Sequence, residues 1–100
     1  MAIVDLVIVP LGTGSTSLSK YVANCHKVLD QYPDVKWILN PSSTTLEGDL
    51  NRILEVIMKM HEVPFTEGAQ RVATQIRIDD RRDKIGTMEQ KLKSVEDKLK

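Results

Sequence analysis

The segment Ile3-Val4-Asp5-Leu6-Val7-Ile8-Val9-Pro10-Leu11-Gly12-Thr13-Gly14-Ser15-Thr16-Ser17 decides the fold. Its first half is β-branched or aliphatic except for Asp5. Alternation therefore puts Val4, Leu6 and Ile8 on one face of a strand and Ile3, Asp5, Val7 and Val9 on the other. Both faces are mainly apolar, which suits a strand in the middle of a sheet and asks for cover on each side. Pro10 and the Gly12–Ser17 stretch then supply a turn and helix-capping hydroxyls.

Outward from this segment the periods alternate. Leu18, Tyr21, Val22, Cys25, Val28 and Leu29 recur at helical spacing, and Pro33 disfavours an α conformation in the residue before it, so the first helix should end near Tyr32. Val35 to Leu39 reads as a second strand, Asn40-Pro41-Ser42-Ser43 as a turn, and Thr44 to Glu47 as a short third strand ending at Gly48. Asp49 is placed to cap a second helix whose stripe is Leu50, Ile53, Leu54, Ile57, Met58 and Met60, and Pro64 should interrupt it. Gly68 should lie in the turn beyond. Arg71 to Asp79 alternates again, with Val72, Thr74, Ile76 and Ile78 on one face.

Strand, helix, strand, strand, helix, strand is the split βαβ order. The expected fold is thus α+β and ferredoxin-like, βαββαβ, with a four-stranded antiparallel sheet and two helices on one face. Beyond Asp83 the chain becomes strongly charged, but Thr87 with Gln90 fits a capping box and Met88, Leu92, Val95 and Leu99 follow an a/d pattern. An extra C-terminal helix over residues 83–100 is expected, docked on its own domain or on a neighbouring subunit. The whole chain, 1–100, reads as a single domain, since 100 residues with a 41% hydrophobic share fill one core and not two.

Composition excludes several functions. Lys plus Arg and Asp plus Glu both total 14, so no net field draws the chain to nucleic acid or an acidic membrane. Its four aromatics, one of them Trp, are too few to interleave with basic residues as a single-strand platform. The opening apolar run is interrupted by Asp5, lacks a basic leader and meets Pro10, unlike a signal peptide or a membrane span. Cys25 stands alone, which excludes an internal disulfide and multi-cysteine metal sites and fits a reducing, cytoplasmic setting. His26 and His61 lack a second ligand at helical spacing and read as surface or boundary residues, so no metal and no cofactor are expected. Cys25, on the apolar stripe, reads as a buried inert thiol.

Three groups could carry a ligand. The Gly12–Thr16 loop before a helix can hold an anion, although it lacks the lysine of a P-loop and the third glycine of a dinucleotide fingerprint; a role as flexible turn and helix cap alone accounts for it somewhat better. Asp79-Asp80-Arg81-Arg82-Asp83 offers two guanidiniums for a phosphate or carboxylate, or a self-neutralising ion-pair network. With strands ordered 4-1-3-2, Asp5, Thr45, Glu47, Gln75 and Arg77 share the face away from the helices, beside Ile3, Val7 and Val9. That patch suits a small ligand closed in by another subunit, or an interface ion pair of Asp5 or Glu47 with Arg77.

Ile8-Val9-Pro10-Leu11-Gly12-Thr13-Gly14-Ser15, Ser19, Tyr21-Val22, Thr44, Glu47-Gly48 and Asp80-Arg81-Arg82 together resemble the small family of thiamine-binding-protein-like ferredoxin-like domains. The resemblance spans nearly the whole chain. It implies open sheet faces that pair into dimers, dimers that join into a tetramer, no catalytic residues, and in some relatives binding of thiamine or its aminopyrimidine part. Carried over, Pro10, Leu11, Gly12, Thr13 and Ser15 match the family's first loop, Thr44 and Glu47 its third-strand site, and Asp80 to Arg82 its last-strand turn. Relatives tend to carry Gly where this chain has Ser43.

Glu47 with Thr44 or Thr45 could then read the pyrimidine edge, Asp5 could favour the thiazolium cation, and Arg81 and Arg82 could meet a phosphorylated form. The expectation is a non-enzymatic, oligomeric carrier or sensor of a thiamine-like small molecule. The alternative is an assembly or regulatory protein whose sheet face and C-terminal helix bind only protein. An enzyme with Glu47 or Asp5 as general base lacks any accompanying nucleophile, metal or cofactor motif.

Overall fold

The computed structural model describes residues 1–12, 14, 19–83 and 87–99. Along the chain run β1 (Ala2–Leu11), α1 (Ser19–Lys27) with a 3₁₀ turn (Val28–Gln31), β2 (Lys36–Leu39), β3 (Thr44–Gly48), α2 (Leu50–Thr66), β4 (Arg71–Asp80) and α3 (Met88–Leu99). The sheet is antiparallel in the order β2-β3-β1-β4, as the split βαβ reading requires. The ferredoxin-like α+β expectation holds.

The core lies on the face of Val4 and Leu6. Both are buried with Leu46 from β3, Cys25 and Leu29 from the first helical segment, and Ile53, Val56, Ile57 and Met60 from α2. Asp49 caps α2 as its sequence suggests, its carboxylate accepting from the Arg52 amide at 3.1 Å. Thr87 and Gln90 form the reciprocal capping box of α3, with N–H···O distances of 3.2 and 3.1 Å.

Two prolines behave differently from their sequence signals. Pro10 lies within β1, not after it, because β3 pairs only Ala2 to Leu6 while β4 follows β1 to Leu11. At Pro10 the strand has a neighbour on one side, so a residue without an N–H is accommodated. Pro64 does not interrupt α2, which runs to Thr66. A proline leaves the carbonyl four residues earlier without its helical donor. That carbonyl belongs to Met60, and the Cys25 thiol donates to it across the core at 3.5 Å. The first helix also changes character early: it is α only to Lys27 and tightens into the 3₁₀ turn before Tyr32.

Ile76 and Ile78 lie in register with Leu6 and Val4, on the helix side, yet both stay exposed because the helices do not reach fully over the β4 edge. Across the sheet, Ile3, Val7 and Val9 are half-buried and Ile38 is exposed. α3 covers part of this face: Met88 is buried, and Lys91 pairs with Asp79. No described helix is long and apolar enough to cross a membrane.

Candidate functional site

Strand parity divides the predicted site residues between two faces. Thr44 pairs with Leu6 and faces the helices, whereas Thr45 and Glu47 pair with Asp5 and Ile3 and face the open side. Thr44 and Glu47 therefore do not converge as one third-strand site, since residues three apart on a strand point oppositely.

On the helix side, a cavity of about 690 Å³ opens between α1, β1, β2 and the β2–β3 turn. Val7 to Val9, Tyr21, Val22, Trp37 and Leu39 make it largely apolar, and His26, Asn40, Ser43 and Thr44 bring polar atoms. None of its described lining residues is an Asp, Glu, Lys or Arg. The volume is that of a small-ligand site. His26 Nδ1 lies 2.6 Å from the Val22 carbonyl oxygen, which can only accept, so Nδ1 carries the proton. In the neutral ring Nε2 then accepts from the Thr44 hydroxyl, at 2.9 Å. Trp37 stacks obliquely on the same imidazole, with ring centroids 5.1 Å apart. Asn40 donates to Ser43 Oγ at 3.2 Å, so the Ser43 hydroxyl is already engaged at the cavity wall.

His26 is half-buried, within the surface-or-boundary reading of the sequence, but its place as a candidate site residue is not encoded in any metal-ligand spacing. Its position in α1 beside Val22 and Cys25 turns its ring toward β3. Of the first loop, Leu11 and Gly12 are exposed where β1 ends, and Gly12 and Gly14 adopt the positive φ values of 71° and 76° that favour glycine. Thr13 and Ser15 lie outside the described residues.

On the open face, Asp5, Thr45, Arg77, Ile3, Ile38 and Met88 line a smaller hollow of about 300 Å³ under α3. Asn40 donates to Thr45 Oγ1 and Thr45 donates to Asp5 Oδ1, each at 2.7 Å. Asp5 thus accepts from Thr45, where an ion pair with Arg77 was one expectation. Glu47 is only 4% exposed, and its Oε1 is buried without a hydrogen-bond partner.

Arg81 and Arg82 stand apart from the first loop and from the cavity lining. Asp80 pairs with Ala2 and Arg71 with Leu11, so the arginines follow the end of β4 farthest from the first loop. A ten-residue strand separates them by roughly 30 Å. Their charges are spent locally: Arg81 binds Asp83 at 2.6 Å and Arg82 binds Asp80 at 2.8 Å. The hydrogen bond from Lys91 holds the Asp79 carboxyl below the usual carboxylate range. Burial pushes the Cys25 thiol up to about 11, away from thiolate chemistry. Among the described residues no group of three or more His, Cys, Asp or Glu could hold a metal.

Comparisons with known proteins agree with this architecture. The chain is 49% identical over 98 residues to the Bacillus subtilis protein YqgV, covering 95% of this chain and 94% of the relative. It is 48% identical over 99 residues to a Staphylococcus xylosus protein, covering 96% and 92%. Both carry the uncharacterised-family designation UPF0045. The crystal structure of the hypothetical protein MJ1052 from Methanocaldococcus jannaschii superposes with a TM-score of 0.85 at 38% identity, covering 95% of each chain. A Thermotoga maritima protein whose description suggests a part in thiamine biosynthesis or salvage shares the fold, with a TM-score of 0.77 at 22% identity over 94% and 97% of the two chains. The sequence model of the family described as thiamine-binding protein matches residues 4–96, and with these relatives it shows that the chain belongs to that family.

Proposed function

We propose that this chain is a binding protein, not an enzyme, and that it takes the aminopyrimidine part of a thiamine-type molecule into the cavity beneath α1. The observation that carries the reading is the uncharged wall with one paired polar edge, His26 Nε2 and Thr44 Oγ1. An aminopyrimidine presents ring-nitrogen acceptors beside an amino donor. Rotation of the Thr44 hydroxyl toward a ring nitrogen frees His26 Nε2 to accept from the amino group, while Trp37 and Tyr21 offer apolar ring surface. The thiazolium cation meets no carboxylate there and extends toward the mouth. Binding without turnover is supported by the raised Cys25 thiol and by an imidazole whose two nitrogens are already occupied. A reducing, cytoplasmic setting keeps Cys25 a thiol.

A titration calorimetry series with hydroxymethylpyrimidine, thiamine and thiamine diphosphate tests this. Hydroxymethylpyrimidine and thiamine should bind, the diphosphate no more tightly than thiamine, and Thr44→Val should weaken each. Absence of heat with all three would remove the ligand assignment.

The second reading, a protein that binds only protein, is favoured by one observation: Ile3, Val7, Val9 and Ile38 form an apolar stripe opposite the helices that α3 covers only in part. We propose that a second copy completes the cover, and that a dimer of dimers is the assembled form. The polar edge of the cavity, His26 and Thr44, lies on the helix side of the sheet, while self-association uses the open face; Val7 and Val9 border both.

A further inference from the structure

α3 carries an apolar seam that its own domain leaves largely uncovered. Met88 is buried, but Leu92 is 59% exposed, Val95 58% and Leu99 80%. The spacing makes Met88 and Val95 d positions and Leu92 and Leu99 a positions. Glu89 and Glu96 then occupy e, and Lys91 and Lys98 occupy g.

These flanks distinguish the two ways of pairing such helices. In a parallel pair, each g residue faces the e residue five positions later on the partner, so Lys91 meets Glu96 of the second copy, twice by symmetry. In an antiparallel pair, g faces g and e faces e, which sets Lys91 against Lys98 and Glu89 against Glu96. The first arrangement is attractive and the second repulsive. Lys91 is already held beside the seam by Asp79, and its ammonium has three donors, enough for both carboxylates.

We infer that α3 associates in parallel with α3 of a second copy, from Leu92 to Leu99, diverging at Met88 where each helix stays on its own sheet. The pairing rests on the self-association proposed above and not on the ligand. It continues the open face, since Leu92 lines the hollow that also holds Ile3 and Ile38. Leu at a with β-branched Val at d leans toward more than two strands, and a four-chain bundle keeps the same Lys91–Glu96 contacts.

Sedimentation equilibrium at micromolar concentration and disulfide trapping test it together. The parent chain should associate, and Glu96→Lys, which turns both pairs into Lys–Lys contacts on an exposed helix, should raise the dissociation constant by about tenfold or more. Leu92→Cys should form an intermolecular disulfide on mild oxidation, because a-to-a neighbours in a parallel pair come within disulfide reach; Cys25, buried, stays out of the reaction. Tighter association of Glu96→Lys, with cross-linking only between mixed Leu92→Cys and Val95→Cys chains, would establish the antiparallel arrangement and overturn the inference. An assembly that persists unchanged in Glu96→Lys, with no cross-link at Leu92→Cys, would leave self-association standing and remove α3 from it. A monomeric parent chain would remove both.

Discussion

Replacing Thr44 by Val keeps the shape of a buried side chain and deletes one donor. The hydroxyl donates to His26 Nε2 at 2.9 Å, and the other ring nitrogen is committed to the Val22 carbonyl. Valine leaves Nε2 facing an apolar wall with nothing to accept from. A buried acceptor so orphaned costs about 1–3 kcal/mol, and the partial exposure of His26 places the expectation near the low end, about 1.5 kcal/mol. For a chain of this size that is a fall in melting temperature of roughly 5–10 °C. Urea unfolding of Thr44→Val, His26→Phe and the double variant would show a coupling on the order of 1 kcal/mol. The same deletion should weaken hydroxymethylpyrimidine binding about tenfold. Asp49→Ala is the control: it removes the cap of α2, away from the cavity lining, and should destabilise the protein while leaving that affinity alone. Additivity of the Thr44 and His26 changes within about 0.5 kcal/mol, or equal loss of affinity in Asp49→Ala, would refute the paired polar edge as the site.

Glu47→Gln should raise stability by about 1 kcal/mol in chemical denaturation, because it replaces a buried carboxylate bearing an unpartnered oxygen with a neutral isostere; a loss instead would mean that a second copy or a ligand supplies the missing donor. The Cys25 thiol has its folded-state value raised from 9.0 to about 11, so its contribution is complete below the lower value and lost as pH climbs through the interval. Denaturation followed from neutral pH to pH 11 should show a decline steeper in the parent chain than in Cys25→Ser by about 2 kcal/mol, and parallel curves would contradict the burial argument. Asp49→Ala removes the cap of α2 and should cost about 1 kcal/mol by the same measurement, whereas an unchanged midpoint would assign the helix start to packing alone.

The elements that could be read from sequence are those whose signal is local. The period of Val4, Leu6 and Ile8 and the cap at Asp49 each depend on neighbours in the chain, and each is found in place. Prolines 10 and 64 misled because their tolerance is decided at a distance: one by where β3 stops pairing, the other by a thiol from a different helix. The site was legible only in pieces. Thr44 was named, but its partner was not, because the His26 ring reaches it across 18 residues and through a hydrogen bond that no spacing rule encodes. The open-face set of Asp5, Thr45, Glu47 and Arg77 followed correctly from parity, although its internal bonding, Thr45 to Asp5, did not.

Parity and strand length also decide what one chain can do with a phosphorylated ligand. The cavity is lined by Leu6 to Val9 of β1, and Arg81 and Arg82 lie beyond the Ala2 end, outside its lining. Their own carboxylates, Asp83 and Asp80, already neutralise them. Glu47 is separated from the cavity as well, by the thickness of the sheet. A preference for thiamine phosphates over thiamine would therefore require cations from the first loop's surroundings or from another copy. In the second case affinity for the phosphates would fall on dilution to the monomer, while affinity for hydroxymethylpyrimidine would not. On the proposed reading the uncharged pocket under α1 takes the pyrimidine, and Arg81 and Arg82, paired with Asp83 and Asp80, take no part in holding it.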